Sequence, residues 1–533
     1  MPDEQDIALS TVSSDEEFEN YPKTVIGRVV FVGETPSLRS VSFRIRPDAE
    51  TTAGRMVAIE GKDREGKSVL VLSRVNEVFE HNPHEDPISS TVQEVVPFPT
   101  KYASEGHSTV IYRAARTEPL EEAVLRTDGT VESIRAVETL VRAGAFVLEA
   151  GPALITSALG LESKPEDGLG LGNIQGSAAP AVLNRGAIQR HIFICGGIGT
   201  GKSYTRGVLA EELHAWGVPQ INIDVNGEMI EATLELHGLN LVPGKNGFTM
   251  PLSALTAEDV IAAIPGIRGG TNIETLIQYA HERLLKEKTF AKGEHFGVNE
   301  LVQMIAQVAP LLDMKSANTL NPATIRAQSL ERIPYIGKPF DWEGSLKPGG
   351  IINIDCRGML VSDLRLIVAS VARDIQRLAK AAKIPFVVLS IDEFHLVAPN
   401  DDHIVTTQVL REIARIGRHF RIGLILTTQS PSDVDRAILK RLLTRFLHAI
   451  EPDQLDSLRG VFSDASTELV QQLPKLPIGT CILTGATETV RHATVIRIRK
   501  RTTTHGGKTP DIWSDFQKRG WVGKKTVTSN DSQ

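Results

Sequence analysis

Residues 196–203 read GGIGTGKS, and this stretch decides the fold. It follows the apolar run HIFICG and precedes YTRGVLAEELHAWG, in which apolar residues recur at helical spacing. The pattern G-x-x-x-x-G-K-[ST] between a strand and a helix is typical of a phosphate-binding loop. Its glycines let backbone N–H groups turn toward phosphate oxygens at the positive end of the helix. The stretch therefore predicts a site for a nucleoside triphosphate.

The side chains of this loop predict the cofactors ATP and Mg²⁺. Lys202 is expected to reach the β- and γ-phosphates, and Ser203 is expected to ligate Mg²⁺. The predicted cofactor-binding residues are Gly196, Gly197, Ile198, Gly199, Thr200, Gly201, Lys202, Ser203 and Tyr204.

A second motif, PFVVLSIDEFH, puts Asp392 and Glu393 at the exit of an apolar strand. A metal-binding aspartate and a water-activating glutamate are needed at such a strand end for hydrolysis. An adjacent Asp-Glu pair favours hydrolysis over a GTPase switch, in which a glutamine positions the water. An acidic pair that caps a helix is the alternative interpretation. We predict that Asp392 binds Mg²⁺ and that Glu393 is catalytic.

A third motif, residues 414–435, contains a basic helix that runs into another strand. Gln429 stands at the tip of this strand, where a polar side chain can contact the γ-phosphate. The basic residues of this region are Arg411, just ahead of the stretch, and Arg415, Arg418 and Arg421 within it. In ring ATPases an arginine from the next subunit stabilises the transferred phosphoryl group, whereas a solvated basic face is the alternative.

Outside these motifs the chain changes in style near residue 175. Residues 21–80 carry short β-rich runs with frequent turns, which predict a small antiparallel β-barrel, and strand-like runs at 108–114 and 119–126 extend it. After residue 180, strands alternate with helices, which predicts an α/β fold with a mostly parallel sheet. A glycine-rich linker or strap is expected at 159–177.

We expect the following organisation: an acidic disordered leader (1–20), a barrel domain with linker (21–175), an ATPase core (176–500) with a helical insertion (255–335), and a C-terminal tail or inter-subunit brace (501–533). The leader contains seven acidic residues and no basic one. The net charge of −7 therefore arises there, and the remaining chain holds 58 residues of each sign.

Composition excludes several classes of protein. No apolar run approaches the roughly 18 residues that a membrane-spanning helix needs, so no membrane partner is expected. The three cysteines, Cys195, Cys356 and Cys481, are widely spaced, which argues against a zinc or disulfide framework and favours a reducing cytoplasm. An ABC ATPase would need an LSGGQ-like signature, and the sequence has none.

Taken in this order, the motifs resemble the HerA branch of the HerA–FtsK ATPases. The resemblance covers roughly residues 21–500 and includes INIDVNGE (221–228) and LKPGGIINIDCRG (346–358). It implies a RecA-like P-loop core after a HAS-type barrel. It also implies a homohexameric ring with nucleotide between subunits and double-stranded DNA in the central channel.

By motif position, the resemblance assigns a trans-acting arginine to Arg418, a polar sensor to Gln429 and the catalytic base to Glu393. It adds Asp224 and Glu228 as cofactor-binding residues, and Arg190 as another basic residue near the site. The chain departs from the family pattern at Phe394 and Ser430, which puts in doubt that it is the DNA-end-resection helicase itself.

The sequence is compatible with two functions. The first is a DNA translocase or helicase that works with a partner nuclease or effector, such as a NurA-like or sirtuin-like protein, in DNA-end processing or anti-phage defence. The alternative is an ATP-regulated hexameric scaffold that controls such an effector. Candidate pore loops surround Arg268 and Arg357, and the C-terminal Trp513, Phe516, Lys518, Arg519 and Trp521 are candidate contacts to a neighbouring subunit.

Overall fold

The computed structural model describes most of the barrel and of the ATPase core. The described residues are 24–32, 35–81, 112–244, 247–264, 270–400, 404–417, 419–455, 466–486, 488–506 and 512–520. The acidic leader, the loop around Arg268, Arg418 and Trp521 lie outside them, and so do the side chains of Ile512 and Trp513.

The N-terminal part is a closed antiparallel barrel, as the sequence predicts. Its strands are β1 (Val25–Val29), β2 (Val41–Ile45), β3 (Met56–Lys62), β4 (Ser68–His81), β5 (Tyr112–Leu125), β6 (Val131–Arg135) and β7 (Phe146–Glu149). Six strands close in the order β1-β7-β3-β4-β5-β2, and β6 pairs with the far end of β5. Val41, Phe43, Ile59 and Val71 fill the interior.

Strand β5 is one long strand where the sequence suggests two shorter runs. Pro119, which lacks an N–H donor, lies opposite Ser73 at a register shift in the β4–β5 ladder. Proline is tolerated in a sheet at such a bulge because no ladder hydrogen bond is lost there. The strand can therefore continue through the proline.

The ATPase core is built on an eleven-stranded sheet. Its strands are β8 (Leu169–Ile174), β9 (Pro180–Leu183), β10 (Ile192–Cys195), β11 (Gln220–Asp224), β12 (Leu239–Leu241), β13 (Ile351–Asp355), β14 (Val387–Ile391), β15 (Ile422–Thr428), β16 (Thr444–Leu447), β17 (Thr480–Thr484) and β18 (Thr494–Ile498). Their order is β12-β13-β11-β14-β15-β10-β16-β17-β18-β8-β9. The seven strands from β12 to β16 are parallel, and the other four are antiparallel.

The helices of the described residues include those that connect the parallel strands. They are α1 (Pro152–Leu159), α2 (Lys202–Ala215), α3 (Ile230–Glu235), α4 (Ala257–Ala263), α5 (Asn272–Leu284), α6 (Val298–Val308), α7 (Ala317–Ser329), α8 (Trp342–Ser345), α9 (Val361–Lys380), α10 (Val405–Ile416), α11 (Arg436–Leu439), α12 (Thr467–Gln471) and α13 (Ile512–Lys518), with a π-helical turn at Leu285–Phe290. The 3₁₀ turns are Pro165–Asp167, Arg185–Arg190, Leu252–Ala254, Leu330–Arg332, Phe394–Leu396, Pro431–Asp433, Pro452–Gln454 and Leu473–Lys475. Helices α4 to α7 lie between β12 and β13, within the stretch predicted as a helical insertion. No helix in the described ranges is long and apolar enough to cross a bilayer.

The expected linker at 159–177 is corrected by the structure, because it contains β8, which pairs with β18 inside the core sheet. A Cβ atom at Gly172 would lie 2.0 Å from the Arg497 carbonyl oxygen, so only glycine allows this approach of the two backbones. The sequence reads as a linker because glycine is rare in strands. The barrel is held against this end of the sheet by Arg74, which donates to the Ala493 carbonyl oxygen at 2.5 Å.

Candidate active site

The glycine loop joins the fully buried strand β10 to the first turn of α2. Strand β10 lies between β15 and β16, so the loop opens at the carboxyl edge of the parallel sheet. Gly201 has a φ of 117°, which side chains other than glycine rarely adopt. The loop can thus deliver the N-terminus of α2 and its free N–H groups to a phosphate.

Lys202 folds back over this loop. Its ammonium donates to the Gly197 carbonyl oxygen at 2.8 Å, and the Thr200 hydroxyl donates to the same oxygen at 2.9 Å. Burial lowers the pKa of Lys202, whereas the nearby Glu393 and Asp392 carboxylates act to raise it. The lysine is therefore a buried cation beside the acidic pair. Its contact with the β- and γ-phosphates stays a prediction.

His448 forms the floor beneath the glycine loop and was missed by the sequence analysis. Its Nε2 lies 2.9 Å from the Thr205 hydroxyl, and a Cβ atom at Gly196 would lie 2.5 Å from the Cβ of His448. Burial, assisted by the Lys202 charge, lowers the pKa of His448 to about 3, so the ring is neutral at physiological pH. His448 directly follows the buried strand β16, and this position at the strand end was the available signal.

Asp392 and Glu393 follow β14 at the same edge of the sheet. Asp392 is 4% exposed. The Asn226 amide donates to Asp392 Oδ2 and to Glu393 Oε1, both at 3.3 Å. Burial raises the pKa of both carboxyl groups, and the Asp392 charge raises that of Glu393 further. Asn226 was also missed, although it lies within the INIDVNGE motif.

Glu393 has an unusual backbone conformation, with φ 44° and ψ 50° in the left-handed region. A non-glycine residue held there costs of order 1–3 kcal/mol, and such residues cluster at functional sites. Its Oε2 atom is buried and has no hydrogen-bond partner within the described ranges, and His395 Nδ1 lies 3.5 Å away. An unpartnered carboxylate oxygen beside the loop is suited to accept a proton from water.

Asp224 lies inside the protein at the end of β11. It accepts hydrogen bonds from the backbone N–H groups of Glu228 and Met229 at 3.1 and 3.0 Å, and from Arg206 Nη2 at 3.2 Å. Through these contacts Asp224 stabilises the turn that carries Asn226 and Glu228. Its predicted role in binding the cofactor stays a prediction, and these contacts favour an indirect role.

The residues at this edge fit a magnesium–nucleoside triphosphate. Glu228 Oε2 is buried without a hydrogen-bond partner in the described part of the chain, as is Glu393 Oε2, so two acidic oxygens are uncommitted near Lys202. Ser203 in the first turn of α2 and Asp392 at the strand end would supply the hard oxygen donors that Mg²⁺ prefers, and their role as metal ligands stays a prediction.

The other predicted site residues are placed as follows. Gln429 follows β15, the strand next to β14, and is half-buried. Neighbouring Thr428 contacts His395 Nδ1 at 3.1 Å. Arg190 forms an ion pair with Glu488 at the start of β10. Arg418 lies outside the described residues, so its trans-acting role stays a prediction.

A C-terminal strap, residues 499–505, runs along α2 in the same chain. The Arg501 backbone N–H donates to the Tyr204 hydroxyl at 2.7 Å, and Glu211 accepts from the N–H groups of Thr502 and Thr503 at 2.9 and 2.8 Å. A Cβ atom at Gly207 would lie 2.2 Å from Arg501 Cζ. The Tyr204 hydroxyl is thus occupied by the strap, and its predicted contact with nucleotide stays a prediction.

Comparisons with known proteins find similarity to HerA helicases. Residues 169–375 match the family model described as helicase HerA, central domain. The protein named DNA double-strand break repair helicase HerA from Sulfurisphaera tokodaii is 25% identical over 372 residues, which cover 65% of this chain and 72% of that one. The protein of the same name from Pyrococcus furiosus is 20% identical over 520 residues, covering 87% and 90%.

A search of solved structures finds VirB4 of Thermoanaerobacter pseudethanolicus, with a TM-score of 0.50 and 14% identity over 63% of this chain and 97% of that one. This likeness concerns the fold. Fold and site together define a RecA-like P-loop ATPase. Residues 169–375 of the chain are similar to the HerA central domain, and the predicted resemblance is confirmed.

Proposed function

We propose that this chain is an ATP-driven DNA translocase of the HerA type that acts as a homohexamer with a partner protein. The observation that carries the proposal is the convergence of Lys202, Asp392 and Glu393 at one edge of a RecA-like sheet. The relatives named as DNA-repair helicases support duplex DNA as the substrate that is moved. A cytoplasmic location and a partner nuclease or effector are part of the proposal.

In the proposed reaction each residue has a defined task. Lys202 and the loop N–H groups hold the β- and γ-phosphates, and Ser203 and Asp392 hold Mg²⁺, which neutralises charge on the phosphates when bound. Glu393 accepts the proton of the attacking water through its uncommitted Oε2. Gln429 contacts the γ-phosphate and reports its loss to the rest of the subunit.

DNA-stimulated hydrolysis tests this function directly. The ATPase rate of the purified full chain is measured without DNA, with linear duplex DNA and with heparin as a polyanion control. We expect duplex DNA to raise the rate several-fold with a steep salt dependence, since binding uses backbone phosphates. A rate indifferent to DNA but altered by a co-purified partner would instead support the scaffold function.

Mixed rings test the trans-acting arginine. Arg418→Ala is expected to lower the rate about 10³-fold because the arginine stabilises the transition state in the neighbouring subunit. Mixing it with Glu393→Gln subunits should restore activity, since some interfaces then combine an intact glutamate with an intact arginine.

Arg415→Ala is the matched control, because Arg415 is an exposed arginine of α10 just ahead of Arg418. It should hydrolyse ATP at the wild-type rate and need no rescue. Absence of rescue in mixed rings of normal size would assign Arg418 to its own subunit's site or to none.

A further inference from the structure

Arg206 is the feature of the site that the proposed chemistry does not use. It lies one helical turn after Lys202 on α2, on the face toward the sheet, and only 1% of its side chain is exposed. Its guanidinium lies between two carboxylates, with Nη2 3.2 Å from Asp224 Oδ1 and Nη1 3.5 Å from Asp392 Oδ2. Arg206 thus connects the phosphate-loop helix to the ends of β11 and β14.

Burying Arg206 between two carboxylates is not explained by a contribution to folding stability. Arg206 Nε and Nη1 have no hydrogen-bond partner among the described residues, although both are buried. A buried ion pair of this kind often contributes less than apolar side chains of the same volume, because removing charges from water is expensive. The position of the arginine beside Asp392 therefore points to a role in the site.

The contacts at Asp392 are asymmetric. Arg206 Nη1 and Asn226 Nδ2 both approach Oδ2, at 3.5 and 3.3 Å, and they are the side chains in the described ranges that pair with this carboxylate. The Glu393 backbone N–H also donates to it. The two side chains thus hold the carboxylate at Oδ2, and neither of them engages Oδ1.

We propose that Arg206 is a positioning residue that holds Asp392 by Oδ2, so that Oδ1 is presented to the Mg²⁺ of the bound nucleotide. The inference rests on the proposed function of Asp392 as a magnesium-side carboxylate. Arg206 touches neither nucleotide nor metal in this role. It also separates two buried carboxylates, Asp224 and Asp392, that would otherwise repel each other across the strand ends.

Binding measurements without turnover test this role. A fluorescent non-hydrolysable ATP analogue is titrated onto the full chain at increasing Mg²⁺ concentrations. We expect Arg206→Met to need about 10-fold more Mg²⁺ for half-maximal binding, the size of effect seen when a partner of a metal-binding carboxylate is removed. Arg206→Lys keeps the charge but loses the two-pronged geometry, so it should restore part of the affinity. Binding measured without Mg²⁺ should stay unchanged.

Two controls separate positioning from general damage. Arg373→Met removes another largely buried Arg–Asp pair, to Asp259 at 2.7 Å in the helical region, and should leave the Mg²⁺ dependence unchanged. If Arg206→Met does not fold, Arg206→Met/Asp224→Asn removes both buried charges and leaves Asp392 without its arginine. This double variant should also need about 10-fold more Mg²⁺ for half-maximal binding of the analogue.

Combination with Asp392→Asn distinguishes the two possible failures. If Asp392→Asn alone leaves the Mg²⁺ dependence unchanged, the assignment of Asp392 in the proposed function is wrong. If Asp392→Asn raises the Mg²⁺ concentration needed for binding but Arg206→Met does not, Arg206 does not act through Asp392. The same conclusion follows if the effects of the two substitutions multiply in the combined variant. Loss of the Arg206 effect in the Asp392→Asn background is the expected result.

Discussion

Glu393→Gln should bind ATP as well as the wild type and hydrolyse it about 10²- to 10⁴-fold more slowly, the range contributed by a general base. Glutamine has the shape of glutamate and can still accept the Asn226 hydrogen bond, but it cannot take a proton from water. Single-turnover assays with radiolabelled ATP, together with equilibrium binding, measure the two quantities separately. We expect a stable complex that retains intact ATP.

The surroundings of Glu393 allow this substitution to remove the proton acceptor without weakening nucleotide binding. The change to glutamine removes a carboxylate next to Asp392, whose charge contributes to raising the pKa of Glu393, so binding should not suffer from new repulsion. Glu166→Gln is the matched control, because Glu166 is an exposed glutamate far along the chain in a surface turn. If Glu393→Gln turns over ATP at a near-normal rate, another group is the base.

The barrel and the parallel sheet could be predicted because both depend on repeating apolar patterns. Val41 and Phe43, for example, alternate with polar neighbours and lie inside the barrel. The phosphate loop and the Asp392-Glu393 pair were predictable because strand ends in a parallel sheet meet at one edge. These signals are local in sequence.

What escaped prediction depends on contacts between distant segments. The sequence predicts a linker at β8 because its glycines weaken the strand signal, although the close approach of the Arg497 backbone requires Gly172. His448 and Arg206 become part of the site only because β16 and α2 pack beside the loop and the acidic pair. A charged residue on the buried face of α2 was a signal for Arg206, but the sequence does not name its partner.

Lys202→Ala should lose nucleotide binding and, with it, hydrolysis. The lysine is the cation of the glycine loop, and a charge-assisted hydrogen bond to phosphate is worth about 1.5–3 kcal/mol. We expect at least about 100-fold weaker binding of the ATP analogue, since three phosphates then face Asp392, Glu393 and Glu228 without the lysine charge. Isothermal titration of the full chain with the non-hydrolysable analogue and Mg²⁺ measures this loss.

The fold should survive this change, because the side chain makes one hydrogen bond, to the Gly197 carbonyl oxygen, and its burial lowers its pKa and thus opposes its charge. Lys202→Met, which keeps roughly the volume of the side chain, should lose binding of the ATP analogue to the same extent. Lys380→Ala removes a partly exposed lysine paired with Glu412 and should bind normally. Retained binding and turnover in both Lys202 variants, with the Lys380 control intact, would show that phosphate is held elsewhere. The hydrolysis site would then lie away from the glycine loop. Within the described ranges the other cation near Asp392 and Glu393 is Arg206, and it is already paired with the buried carboxylates of Asp224 and Asp392.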